Sequence, residues 1–136
     1  MGKALGIDFG TKRTGIAITD AMQIIATGLT TVSTNLLDDF ISNLVQQESI
    51  VSFVVGDPKN LDGSNTDSTG HVNGFVKRLQ KTYPSIPVHQ IDERFTSKIA
   101  KQSILASGIK KKGRQNKALV DEVSATIILQ DYLDYK

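Results

Sequence analysis

Ala4-Leu5-Gly6-Ile7-Asp8-Phe9-Gly10-Thr11-Lys12-Arg13-Thr14-Gly15-Ile16-Ala17-Ile18-Thr19-Asp20 is the stretch whose reading decides the fold. A short apolar run delivers a single carboxylate, Asp8, into the first strand of the core. A glycine-flanked basic turn follows from Gly10 to Gly15, and then a second β-rich run. Burying an ionised carboxylate without a partner costs several kcal/mol or more, so a strand that carries one uses it. Beside a basic turn, the fitting use is to bind a metal ion or an activated water near a phosphate.

Working outward, residues 3–9 and 13–20 read as two strands joined by a tight turn, and residues 24–32 add a third. Together they predict an antiparallel meander. Leu36, Leu37, Phe40, Ile41, Leu44 and Val45 recur at helical spacing, which predicts an amphipathic helix over about 35–48. Ile50-Val51-Ser52-Phe53-Val54-Val55 is a continuous apolar run ending at Gly56, the pattern of a central parallel strand covered on both faces. Asp57 to Asn65 is rich in turn formers and reads as a loop. A helix is expected from about 66 to 82, closed before Pro84, then a short strand over 87–92. Helices fit about 96–107, stopped by Gly108, and about 116–134. The order βββαβαβαα indicates an α/β fold, with a mixed sheet that begins as a meander and continues parallel.

The chain has 136 residues, 39% hydrophobic and 22% charged, which suits one soluble globular domain spanning residues 1–136. It contains no cysteine, so a disulfide framework and a thiolate zinc site are both excluded. No apolar run approaches the roughly 18–20 residues of a membrane span, and no signal-peptide pattern opens the sequence. A cytoplasmic protein without membrane contact is the simplest reading. Sixteen Lys and Arg against 14 Asp and Glu leave a net charge of only +2. The distribution says more: Lys110-Lys111-Lys112-Gly113-Arg114 with Lys117 form one dense basic segment, and Lys12-Arg13 another.

Asp8 is joined by three further acids in telling places. Asp92 and Glu93 stand where the last strand ends, and Asp121 stands early in the final helix, whose buried stripe is expected at Val120, Val123 and Ile127. Ser124 and Ala125 are small and would let that helix approach the sheet closely. In α/β sheets functional groups collect outside strand ends, so these carboxylates are expected to converge. Hard oxygen ligands of this kind suit Mg²⁺ or Mn²⁺. A pair of such ions about 3.5–4 Å apart can activate water and stabilise a departing oxygen in phosphodiester hydrolysis. Structural roles compete at three positions: Asp92 as a cap, Glu93 as a partner of Arg94, and Asp121 as an acid near a helix N-terminus. Inside a strand, Asp8 has no such alternative. His71 and His89 lack zinc-ligand spacing and read as structural or surface groups, and Ser64 and Ser97 lack a nearby base.

These residues resemble a known pattern, that of the YqgF/RuvX family of bacterial RNase H-like proteins. The pieces are Gly6-Ile7-Asp8-Phe9-Gly10 with Arg13 and Gly15, then Val55-Gly56-Asp57-Pro58 followed by Asp62-Gly63-Ser64. Asp92-Glu93-Arg94-Phe95-Thr96-Ser97 comes next, and Asp121-Glu122-Val123-Ser124-Ala125 runs into Ile128-Leu129-Gln130-Asp131-Tyr132-Leu133. The first piece alone is a weak signal; all four, in order and over nearly the whole chain, are specific. The resemblance implies an RNase H-like fold with a mixed five-stranded sheet flanked by helices. It also implies an acidic cluster of Asp8, the Asp92-Glu93 pair and Asp121, holding Mg²⁺ or Mn²⁺ as cofactor. Catalysis would fall to Asp8, Glu93 and Asp121, with Asp92 as the alternate ligand. If Ile91 points into the core, alternation turns Asp92 to the other side of the sheet, which favours Glu93. Nucleic-acid contacts are expected at Lys12, Arg13, Arg94, Lys110, Lys111, Lys112, Arg114 and Lys117.

The activity so implied is metal-dependent endonuclease cleavage, at the 5′ end of pre-16S ribosomal RNA, with ribosomal precursor particles as partners. The alternatives are a Holliday junction resolvase acting on branched DNA and a non-catalytic RNA-binding module of the same fold. Two departures from the family pattern stand out: Asp57 where an apolar residue is common, and Ser124 where alanine is. Asp8-Phe9-Gly10-Thr11 also looks like the first phosphate loop of actin-like and sugar-kinase ATPases. Those need two such domains and a second phosphate loop, which this sequence lacks.

The basic segment preceding the Asp121 helix generates a direct expectation. Neutralising three of Lys110, Lys111, Lys112 and Arg114 should flatten the slope of log affinity for nucleic acid against log salt by roughly two to three units. A slope that survives those substitutions would show a merely solvated loop.

Overall fold

The computed structural model describes residues 2–57, 69–92 and 117–135, with only the backbone described at 117–120 and 135. Its elements are β1 (Lys3–Asp8), β2 (Arg13–Thr19), β3 (Ala26–Ser33), α1 (Leu37–Gln47), β4 (Ile50–Asp57), α2 (Thr69–Thr82), β5 (Val88–Asp92) and α3 (Lys117–Tyr135), with a 3₁₀ turn at Thr34–Leu36 leading into α1. The strands form one sheet in the order β3-β2-β1-β4-β5. β1, β2 and β3 run antiparallel, and β4 and β5 join β1 in parallel. This is the expected meander followed by parallel strands. The helix expected over 96–107 lies outside the described residues, as do the first residues of the helix expected from 66.

Strand alternation divides the core into two layers. Leu5, Ile7, Ile16, Phe53 and Val55 face α1 and α2, where they meet Leu37, Ile41, Val72, Phe75 and Leu79. Ala4, Ala17 and Val54 face α3, against Ala125, Ile128 and Leu129. The first layer is built from large side chains. The second is built from small ones, and the difference matters for the site.

α3 lies so close to the sheet that its own backbone and Leu129 fill the space a side chain would need at Gly6 and Gly15, while at Gly28 a side chain would displace Glu122. A Cβ on Gly6 would stand 2.8 Å from Leu129 Cβ and 3.0 Å from the Ala125 carbonyl oxygen. On Gly28 it would meet Glu122 Oε1 at 2.7 Å, and on Gly15 it would overlap the carbonyl oxygen of Asp121. The contact face of α3 is correspondingly small and then aliphatic: Ser124, Ala125, Ile128 and Leu129 are buried, whereas Val123 and Ile127 are only half-buried. The stripe expected at Val123 and Ile127 is thus rotated by about one residue. Side-chain volume misleads there, because a glycine-surfaced sheet selects the small face of a helix.

Two boundaries also differ from expectation. β4 runs through Gly56 to Asp57, because pairing with β5 continues to the Asp57–Asp92 register; Asp57 therefore ends a strand and does not open a loop. β3 starts at Ala26, not at 24, because Asp20 takes the amides a strand would use. Its carboxylate accepts from the N–H groups of Ile24 at 2.8 Å, Ile25 at 3.0 Å and Met22 at 3.3 Å. Those bonds, the one from Ile25 first, hold the Asp20 carboxyl below its ordinary pKa. They therefore support the 20–25 turn at neutral pH and release it only as acid protonates the group.

The close approach of α3 is directly testable. Gly15→Ala adds one methyl group where no space exists, so stability should fall by about 1–3 kcal/mol through overpacking, with a lower Tm. Gly74→Ala, in α2 with nothing within 4 Å of the new carbon, should instead gain up to about 1 kcal/mol in helix propensity. A Gly15→Ala protein as stable as the wild type would contradict the packing described.

Candidate active site

Asp8 is the last residue of β1 and is half-buried. Its direction is set by its neighbours. Leu5 and Ile7 belong to the α1/α2 layer, and Phe9 follows them, stacking on Phe75 with ring centroids 4.7 Å apart and planes 18° from parallel. Alternation then turns Asp8, with Ala4 and Gly6, toward the α3 face.

Across the sheet Asp8 pairs with Gly15 of β2, and such antiparallel partners lie about 4.5–5.5 Å apart between Cα atoms. Gly15 is the position onto which the backbone of Asp121 presses. The strand carboxylate and the helix carboxylate are thus brought to one corner, at the carboxyl end of β1. One hydrogen-bonded pair of strands and one glycine contact accomplish this.

Arg13 opens β2 two residues before Gly15 and so shares its face. Its Nε lies 2.5 Å from Oδ2 of Asp121, an ion pair whose side chains are 38% and 22% exposed. The two atoms approach without lining up as a hydrogen bond. Gly10, Thr11, Lys12, Arg13 and Asp121 line a hollow of about 220 Å³ beside the pair. Lys12 stands exposed at its rim.

The basic turn is held more firmly than its composition suggests. Thr34 Oγ1 donates to the Gly10 carbonyl at 2.6 Å. With its one proton so placed, Thr34 accepts from Thr14 Oγ1 at 2.9 Å, and Thr14 in turn accepts from the Gly10 N–H at 3.5 Å. The result is a closed ring through the first turn, β2 and the start of the 3₁₀ turn. Thr34 N–H donates to the Lys12 carbonyl at 3.0 Å, which adds a second tie. Gly10 itself leaves no room for a Cβ, because the Arg13 carbonyl oxygen occupies that space. The Thr14–Thr34 contact joins residues 20 apart and has no local signal in the sequence. Gly10 and Gly15, flanking a basic turn, are the visible hint.

The other described strand-end carboxylates lie elsewhere. Asp57 and Asp92 are register partners at the ends of β4 and β5. Along β5, His89 packs its ring 4.9 Å from that of Tyr132 of α3, and Ile91 joins the α3 layer. Val88 packs with the opposite layer. Asp92 therefore faces the side opposite Asp8, and Asp57 does the same by alternation from Phe53 and Val55. Among the described residues, no group of three acidic or imidazole side chains is gathered closely enough to hold an ion. Glu93, Arg94, Lys110, Lys111, Lys112 and Arg114 lie outside the described residues, as does the side chain of Lys117. His71 is exposed on α2. None of the helices among the described residues is long and apolar enough to cross a membrane.

Comparison with known proteins adds to this geometry. A family model described as "RuvX: Holliday junction resolvase" matches residues 2–135. A protein of Bacteroides fragilis, provisionally named pre-16S rRNA nuclease, is 53% identical over 136 residues, covering 100% of this chain and 99% of that one. Relatives from Flavobacterium johnsoniae (51% over 136 residues, covering 100% and 99%) and Porphyromonas gingivalis (49% over 134 residues, covering 98% and 97%) carry the same name. Among solved structures, T. thermophilus RuvC in complex with a Holliday junction substrate superposes with a TM-score of 0.61 at 15% identity. That match covers 99% of this chain and 95% of RuvC. At such identity the likeness is one of fold, and the fold is RNase H-like.

Proposed function

Because the chain belongs to the RuvX family, we propose that it is a divalent-metal-dependent endonuclease that hydrolyses phosphodiester bonds, with precursor 16S ribosomal RNA as substrate. One observation carries the reading. Asp8 of β1 and Asp121 of α3 are brought to the same corner by the Asp8–Gly15 pairing and the glycine contact beneath Asp121. The corner also suits a cation, since a guanidinium already sits against the Asp121 carboxylate. Hard carboxylate oxygens of this kind fit Mg²⁺ or Mn²⁺.

In this reading Asp8, Asp121 and Glu93 hold the ion. Such an ion, when bound, supplies an activated water and stabilises the departing oxygen. The alternation of β5, which turns Asp92 away from the face of Asp8, supports Glu93 over Asp92 as the third ligand. Lys12 at the rim of the hollow and the basic residues before α3 hold the phosphate backbone without reading bases. The names of the relatives support the ribosomal substrate, and with it a cytoplasmic location and ribosomal precursor particles as partners. The description of the family model keeps branched DNA as the competing substrate.

A cleavage assay with Mg²⁺ or Mn²⁺, on structured precursor RNA and on four-way DNA junctions in parallel, tests the proposal. Cleavage of the RNA, lost by orders of magnitude in a folded Asp8→Asn protein, is the expected result. Cleavage of junctions alone would transfer the activity to DNA, and binding without cleavage would leave a non-catalytic module. The third ligand is decided separately. Glu93→Gln should abolish cleavage, while Asp92→Asn should mainly cost stability, on the order of 1 kcal/mol for a lost cap. The reverse pattern would reassign the ligand to Asp92.

A further inference from the structure

The Arg13–Asp121 pair points past the ligand set to how the site waits for its ion. Asp121 is only 22% exposed on its side chain and belongs to a helix packed tightly on the sheet. A carboxylate so placed needs a counter-charge when no ion is bound. Arg13 supplies one, and its backbone is fixed for the purpose. It begins β2, on the face of Gly15, and its carbonyl is packed against Gly10 in the turn closed by the Thr14–Thr34 ring. The contact runs from Nε to Oδ2 of a pair that solvent still reaches on both sides. The guanidinium also lines the hollow that Lys12 and Thr11 share. A cation bound to Asp121 would repel Arg13 at this range, and the hollow is where the side chain can go.

We propose that Arg13 is the resting counter-charge of the metal site: it neutralises Asp121 until a divalent cation takes that carboxylate, and is then released into the hollow to bind a phosphate. The inference rests on the metal-dependent reading above, and it makes Arg13 a positioning residue that reports on the site's occupancy. Ion and arginine compete for one carboxylate, so removing the arginine strengthens the ion's hold.

The test uses the full chain and Mn²⁺ alone, with binding measured by calorimetry and by the electron paramagnetic resonance of free Mn²⁺. Arg13→Gln should bind Mn²⁺ about two- to fivefold more tightly than the wild type, the range set by a partly exposed ion pair. Arg13→Lys, which keeps the charge, should lie near the wild type. Unchanged or weaker binding in a folded Arg13→Gln protein overturns the proposal, and the metal reading stands if Asp8→Asn loses Mn²⁺. Absence of Mn²⁺ binding by the wild type overturns both.

A second measurement needs no Arg13→Gln protein. In the wild type, the Nε–H resonance of Arg13, assigned by its absence from Arg13→Lys, should move on titration with Mg²⁺. Inorganic phosphate should then move it further, and without Mg²⁺ should leave it in place. A resonance unmoved at saturating Mg²⁺, or moved equally by phosphate alone, overturns the proposal.

Discussion

The structure depends on how closely α3 can lie on the sheet. Ordinary helix-on-sheet packing interposes side chains from both partners. Here the sheet contributes Gly6, Gly15 and Gly28, and the helix contributes Ser124 and Ala125. Removing side chains from an interface forfeits apolar burial, and the fold recovers it at either side. Ile128 and Leu129 fill the next turn of the helix, and the large residues of the opposite layer carry most of the hydrophobic area. What the thin interface achieves is placement. Asp121 reaches the end of β1 through its helix backbone, with no long flexible side chain spanning the gap. Its position is thus fixed by the same contact that fixes the fold.

Much of this was legible in the sequence, for identifiable reasons. Strands with strong local signals, such as Ile50 to Val55, and the amphipathic pattern of α1 follow from periodicity alone. The four motifs that resemble the YqgF/RuvX family are matched by the family model over residues 2–135. What escaped is what tertiary contact decides. Asp57 reads as a loop residue from its neighbours, yet pairing with Asp92 extends the strand through it. The buried face of α3 reads as valine and isoleucine by size, and the glycines opposite reverse that preference. Asp20 stands beside two apolar residues that look like strand, and its carboxylate removes their amides from the ladder.

The site shows the same division. Asp8 is conspicuous from its strand alone, because no local role accounts for it. Ser124 and Ala125 announced a close helix, and the helix is close. Arg13 reads as part of a basic turn, and in the fold it also stands against a carboxylate more than a hundred residues away. Long-range ion pairs leave no trace in local composition. The alternation argument along β5 needed one fact that only the fold supplies, that Ile91 packs toward α3.

The ring of Gly10, Thr14 and Thr34 has a consequence of a different kind. It contains no charge, and each of its hydroxyl protons has a destination. Its strength is therefore indifferent to ionic strength and to pH across the neutral range, while contacts between basic side chains and phosphates are screened over about 8–10 Å at physiological salt. The shape of the turn between β1 and β2 is thereby uncoupled from salt. A rise in ionic strength that screens the exposed charge of Lys12 leaves the backbone that presents it unaltered.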